Sequence, residues 1–270
     1  TTKVKAHDDN TTGHVWDGDL REMNNPLPKW WVYLFIITVV FGLLYGLLYP
    51  MFGKMQGQLG WSSQGQHAAE VKKAEEAIAP IYAAFNSMEP EKLAGDPAAM
   101  AIGERLFMNY CAQCHGSDAR GSKSFPNLAD NDWLWGGDPA AIKESITNGR
   151  MGVMPPMAAA VGNAEAVNNL SHYVLSLSGS PHDPVKATLG KSKFAACAAC
   201  HGAEGKGNTT MGAPNLTDDI WLHGWGVDAI TKIVNEGKTN VMPPQNALLT
   251  EQQIHVLSSY VWGMSNKPKQ

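Results

Sequence analysis

At 270 residues the chain has room for one large domain or two modest ones. Its net charge of −4 excludes the strongly basic face that a nucleic-acid partner would need. Hydrophobic residues make up 44% but charged residues only 17%, which points to a membrane segment or to domains that bury a large apolar ligand.

In chain order, residues 1–29 form a polar N-terminal segment, and "WWVYLFIITVVFGLLYGLLY" at 30–49 then runs without a charge. As a helix this stretch covers the roughly 30 Å of a bilayer's hydrocarbon. Trp30 and Trp31 at one end and Tyr45 and Tyr49 at the other suit the two interfaces, and Pro50 stops the helix, so 30–50 is predicted to be a transmembrane anchor. A signal peptide would have a shorter apolar core and a small-residue cleavage site, whereas "YPMFGKMQGQLG" follows here. Arg21 and Lys29 before the span, against Lys54 after it, favour a cytoplasmic N-terminus. Residues 51–95 read as a linker, with a helix predicted from His67 to Phe85.

The remainder repeats itself. Gly103 and Phe107 are answered by Gly190 and Phe194, "PNL" at 126–128 by "PNL" at 214–216, and Trp133-Leu134 by Trp221-Leu222. "GVMPPM" at 152–157 is answered by "NVMPPQ" at 240–245, and each unit ends in an apolar helical stretch. The repeats are set at 96–180 and 181–270. Asp96-Pro97, Asp138-Pro139 and Asp183-Pro184 are helix starts, Gly149 and Gly237 are helix ends, and Thr250 with Gln253 forms a capping box. Little strand alternation appears, so the predicted class is all-α: an N-terminal transmembrane helix and two tandem helical domains. Domains this small have marginal cores unless something large fills them.

All four cysteines fall in "CAQCH" (Cys111, Cys114, His115) and "CAACH" (Cys197, Cys200, His201). A four-cysteine zinc site would need the two pairs to converge across a complete domain. A thioredoxin-type dithiol expects a βαβ setting and gives the histidine no role. C-x-x-C-H is the attachment signature of c-type haem, in which both thiols add to the vinyl groups on one porphyrin edge and the imidazole meets the iron. Two covalently attached haems c are therefore expected, with His115 and His201 as iron ligands.

Each "MPP" supplies a sixth ligand from far along the repeat, Met154 or Met242; a soft thioether suits low-spin iron and raises its potential. The prolines that follow fix the backbone and remove N–H donors from a buried loop. Met151 and Met157 flank Met154 and are packing residues or rivals, with the repeat register singling out Met154. Ligation within each repeat is the default expectation, and exchange of the methionine loops between repeats is the alternative. Pro126 and Pro214 are positioned to accept the second N–H of each histidine. Trp133, Trp135, Trp221 and Arg150 are candidates for haem propionates or for core packing. His172, His223 and His255 read as surface or packing residues.

The two haem motifs and M-P-P loops resemble class I cytochromes c. The N-terminal stretch "HVWDGDLREMNNPLPKWWVYLF", with His14, Asp17-Gly18, Glu22, Asn25-Pro26-Leu27-Pro28 and Trp30-Trp31, is similar to the segment before the span in the dihaem subunit (subunit III) of cbb3-type cytochrome c oxidases. That resemblance implies a non-catalytic electron-transfer chain in the bacterial inner membrane. It would relay electrons from a donor cytochrome c to the oxygen-reducing core, with the catalytic haem–copper subunit, a monohaem cytochrome c subunit and membrane lipid as partners and no nucleic acid. Covalent haem attachment outside the cytoplasmic membrane implies periplasmic haem domains. Some members carry a further membrane helix before this segment, whereas this sequence begins "TTKVKAHDD". The alternatives are a dihaem subunit of another membrane dehydrogenase or reductase, a dihaem peroxidase, which would need one iron able to lose its distal ligand, and a gas or redox sensor.

Overall fold

The structure, a computed structural model, describes residues 10–51 and 53–266; residues 1–9 of the N-terminal segment and 267–270 of the second repeat lie outside the described residues. It divides into two compact units, one up to Ala77 and one from Ile78.

In the first unit, β1 (Thr11–Trp16) and β2 (Leu20–Met23) form an antiparallel hairpin. Its turn uses Asp17 and Gly18 at φ 50° and 90°, the left-handed region that Asp and Gly tolerate. Trp16 closes the hairpin by donating its indole N–H to Glu22 Oε1 at 3.1 Å. After Pro28, α1 (Lys29–Leu48) takes up the apolar run, one residue earlier at each end than the sequence suggests. Its side chains are exposed all round, Trp30, Phe41 and Leu43 alike, and only Gly46 is buried. A helix apolar on every face and covered on none is built for lipid. The predicted linker helix is α2 (Ser63–Asn86), within which the division between the units falls.

The second unit begins with α3 (Pro90–Leu93), α4 (Pro97–Tyr110) and α5 (Ala112–His115), followed by α6 (Pro139–Asn148) and β3 (Arg150–Met154). Next come α7 (Ala158–Val161), α8 (Ala164–Leu177) and α9 (Pro184–Lys191). A 3-10 turn (Ser192–Ala196) leads into α10 (Ala198–His201), α11 (Val227–Glu236), β4 (Lys238–Met242) and α12 (Glu251–Asn266). The predicted caps are present. Asp96 Oδ1 accepts from the N–H groups of Ala98 and Ala99, both at 2.9 Å; Asp183 caps α9 with two such bonds, and Asp138 caps α6 with one, from Ala141 N–H at 3.0 Å. Thr250 and Gln253 exchange the reciprocal bonds of a capping box at 2.9 and 3.3 Å.

The two-stranded ribbons depart from a purely helical reading, and β3–β4 reorganises the fold. Arg150 pairs with Met242 and Met154 with Lys238 in an antiparallel register. Each strand therefore starts beside the helix of its own repeat and ends in the other. One core gathers Leu106, Phe107, Ile142 and Ile146 with Ile254, Leu257 and Val261 of α12. The other gathers Val167, Leu170 and Val174 of α8 with Phe194, Ile230 and Val234. The first half of each sequence repeat thus packs on the second half of the other.

Two glycines from the repeat pattern permit these crossings. A Cβ at Gly103 of α4 would strike Tyr260 of α12, and one at Gly190 of α9 would strike the α8 backbone at Asn169 and Leu170. The neighbouring aromatics match, Phe107 with Tyr260 at 5.9 Å and Tyr173 with Phe194 at 5.4 Å between ring centroids. Because backbone cannot yield as a side-chain tip can, Gly190→Ala is expected to cost about 1–3 kcal/mol, seen as a lower thermal midpoint in circular dichroism; an unchanged midpoint would mean that α8 and α9 are not in this contact.

Candidate functional site

Both cysteine motifs are built alike. The first cysteine closes the preceding helix or turn, and the next four residues form a single helical turn, with His115 N–H bonded to Cys111 O at 3.0 Å and His201 N–H to Cys197 O at 2.9 Å. Gly116 and Gly202, at φ 80° and 78°, then release the chain from the helix. The returning loop is tied back by Gly121 N–H to His115 O at 2.7 Å and Gly207 N–H to His201 O at 2.8 Å. It brings Pro126 and Pro214 over the histidines, as the sequence led us to expect. His115 Nδ1–H donates to Pro126 O at 2.9 Å, and His201 Nδ1–H donates to Pro214 O at 3.0 Å. A carbonyl can only accept, so each ring carries its proton on Nδ1 and offers Nε2 as a lone-pair donor. Both rings are buried, at 8% and 7% exposure, and burial holds their pKa below the ordinary histidine value, favouring the neutral ligand form.

The thiols separate the three chemistries. Burial, then the neighbouring Cys114, pushes the Cys111 thiol up to about 11, and burial also raises Cys197. A redox dithiol lowers its attacking thiol instead. Among the described residues no three His, Cys, Asp or Glu side chains gather into a metal-sized cluster, so a four-thiolate zinc site finds no geometry. The residues do fit a covalently held haem. Each buried histidine spends one nitrogen on the protein and keeps the other. In addition Trp221 Nε1–H is buried without a partner, an orphaned donor that a haem propionate would satisfy.

Met154 and Met242 are half-buried, one at the end of each ribbon strand. Met242 packs on the core that holds Cys111, Leu128 and Trp133. Met154 packs on the core that holds Cys197, Leu216 and Trp221. Met157 packs on that second core too, whereas Met151 is exposed. The default expectation, in which each methionine stays with its own repeat, does not match this packing, because the ribbon carries each loop across.

Other candidates sort as follows. Trp135 lies against Gly212 and under the Arg150 guanidinium at 5.1 Å, while Arg150 Nε–H donates to Ser145 Oγ at 2.9 Å. His172 Nδ1 accepts the Asp183 N–H at 3.1 Å, and His255 Nε2–H donates to Met88 O at 3.1 Å. His223, read as a packing residue, joins the two halves. It donates from Nδ1 to Ser124 Oγ at 3.2 Å and accepts from Asn240 Nδ2 at 3.3 Å. The repeat register holds the clue, since His223 follows Trp221 as Trp135 follows Trp133.

Comparison with known proteins meets the same segments. The family model described as the N-terminal domain of cytochrome oxidase-cbb3, FixP, matches residues 8–56. The model described as cytochrome c oxidase, cbb3-type, subunit III matches twice, at 98–174 and 187–261. The chain belongs to the cbb3-type cytochrome c oxidase subunit III family. Among its relatives, the cbb3-type cytochrome c oxidase subunit CcoP of Rubrivivax gelatinosus is 61% identical over 97% of this chain and 86% of its own length. The CcoP subunit of Cereibacter sphaeroides is 38% identical over 97% of both chains, and the FixP subunit of Rhizobium meliloti 39% over 93% and 92%. The subunit III segments include every cysteine, histidine and methionine of the two motifs and loops.

The subunit III repeats also set three carboxylates within electrostatic reach of one another. Burial, then Asp218 and Asp130, raises half-buried Asp132 to about 6. It lines a cleft with Trp133 and Gly137 on one side and Lys206, Asn208 and Pro214 on the other. The folded chain holds this proton more tightly than the unfolded one, whose carboxyl titrates at about 3.9, so stability is lost as pH rises from about 4 through 6. Asp132→Asn is expected to raise the thermal midpoint at about pH 7.5 and to change it little at about pH 4; an equal gain at both would assign the effect to packing instead.

Proposed function

We propose that this membrane-anchored subunit of a cbb3-type oxidase carries two haems c and relays electrons from a donor cytochrome c to the oxygen-reducing core. The observation that carries the reading is the twice-built histidine site: a buried imidazole, its Nδ1 proton fixed on a proline carbonyl, directly after paired cysteines. In this reading Cys111 and Cys114, and Cys197 and Cys200, form the thioether links. His115 and His201 are the histidine ligands, and Met154 and Met242 the thioether ligands. Haem c, when bound, supplies one-electron chemistry at an iron that cycles between two oxidation states.

The chain's residues do the rest. The Pro126 and Pro214 carbonyls orient the rings and strengthen them as donors. Apolar residues around both histidines would keep water out, and a haem held by a histidine and a methionine would leave no site for a substrate, so the chain would act as a carrier and not as a catalyst. The lipid-facing α1 supports a membrane crossing. The Arg21 and Lys29 balance supports a cytoplasmic N-terminus with both haem lobes in the periplasm. There the lobes meet a donor cytochrome c, the catalytic haem–copper subunit and a monohaem cytochrome c subunit.

Purification in mild detergent is expected to bring the haem–copper subunit along, and a reduced-minus-oxidised spectrum to show haem c. His115→Ala or His201→Ala should cut donor-driven oxygen consumption at least about tenfold, while a small reductant that reaches the core directly still supports it. A chain that purifies alone, with a high-spin haem and peroxidase activity, would overturn the proposal.

A further inference from the structure

We infer that the β1–β2 hairpin is a docking element that seats on a Lys/Arg-rich cytoplasmic loop of the oxidase's haem–copper subunit. This rests on the oxidase reading and the cytoplasmic N-terminus proposed above, and adds to them the surface by which this chain meets that partner.

The hairpin is folded but covers nothing. Its ends are tied by Asn24 N–H to Asn10 O at 2.8 Å, and its two strands by the indole of Trp16 on Glu22 Oε1. The register sets Trp16 opposite Leu20 and Val15 opposite Arg21. Trp16, Leu20 and Glu22 therefore share one face, where His14 lies on Trp16 at 4.2 Å between ring centroids. Val15 and Arg21 share the other. Neither face packs on the rest of the described chain, because every residue from 12 to 30 is exposed, Trp16 at 49% and Leu20 at 63%. A two-stranded ribbon is marginal in water on its own, and apolar side chains exposed on it mark a surface that a partner covers.

Three observations select the occupant. The first is reach. Residues 24–28 alone separate β2 from α1, at most about 18 Å of extended chain, and Pro26 and Pro28 stiffen them. Trp30 and Trp31 suit the membrane–water boundary at the start of α1, so the hairpin stays at the bilayer surface.

The second is charge. Over residues 10–28 stand Asp17, Asp19 and Glu22 against Arg21. The headgroups of the cytoplasmic leaflet are anionic and repel such a ribbon. Cytoplasmic loops of membrane-spanning proteins carry an excess of Lys and Arg, and attract it. The third is arrangement. The carboxylates border an aromatic and aliphatic centre, Trp16 and Leu20, which is the layout of a protein interface with an apolar middle and a charged rim.

The test is a photo-crosslink in the full-length chain in its own membranes. Leu20→p-benzoylphenylalanine puts the reactive ring on the exposed face beside Trp16. Ultraviolet light should join it to the haem–copper subunit, and mass spectrometry should map the joined peptide to a Lys/Arg-containing cytoplasmic loop. Asp17→Asn with Asp19→Lys is then added; Asn tolerates the left-handed turn, and the new Lys lies on the side already richer in Lys and Arg. The yield should fall at least about fivefold, with the haem c spectrum unchanged. Raising the salt should lower the yield without these changes and hardly alter it with them. If the double change disturbs the turn, Asp19→Asn alone must lower the yield in the same direction. An adduct with lipid, with a second copy of this chain or with a periplasmic segment, no protein adduct at all, or a yield indifferent to the charge changes overturns the inference. A chain that purifies without the haem–copper subunit refutes the oxidase reading itself, an outcome distinct from an oxidase whose crosslink lies elsewhere.

Discussion

The pairing of β3 with β4 is the constraint on which the haem-bearing part of the molecule depends. Five residues from each repeat form one ladder, and its antiparallel sense decides where everything after it goes. Once Arg150 stands opposite Met242, α12 is delivered to α4 and α6, and α8 is left to pack on α9 and α11. Each lobe closes only with the other repeat's helix. A ribbon of this length has little stability of its own in water. It persists because both ends are buried in cores and both entrances are glycines that let backbones touch.

The histidine side is governed by a different economy. There the contacts are local: a helical turn, a glycine exit, a loop tied back to the histidine carbonyl, and a proline carbonyl over the ring. These bonds run within one repeat, so the same set recurs at both sites. The methionine side depends on long-range pairing. A locally built cysteine–histidine site is thus combined with a methionine loop placed by remote pairing. A fault in one M-P-P loop would be felt through the ladder by its partner.

This division explains what the sequence disclosed. The anchor was legible because an uncharged run has few alternatives, and the helix starts because Asp-Pro and Thr-x-x-Gln satisfy N–H groups locally. The turns at Cys111 to His115 and Cys197 to His201 were legible for the same reason, since each motif is written in adjacent residues. The ribbon was not. "RMGVM" and "KTNVM" are too short to show alternation, and each gains strand character only from the other. The repeat register found Gly103, Gly190, Gly149 and Gly237, but it could not say which copy each would touch. Internal symmetry makes the exchanged and unexchanged arrangements identical on paper. His223 shows the same limit, because its partners Ser124 and Asn240 come from remote loops.

The ladder has a last consequence for assembly order. The stretch from Met154 to Glu236 is continuous and supplies every residue of one core, so that lobe sits nested within the other like a parenthesis. The outer lobe opens with α4 early in synthesis and waits for α12 before it can shut. Although "CAQCH" leaves the ribosome before "CAACH", the later motif belongs to the lobe that finishes first. Removing α12 would therefore open the core beside Cys111 and leave the one beside Cys197 closed.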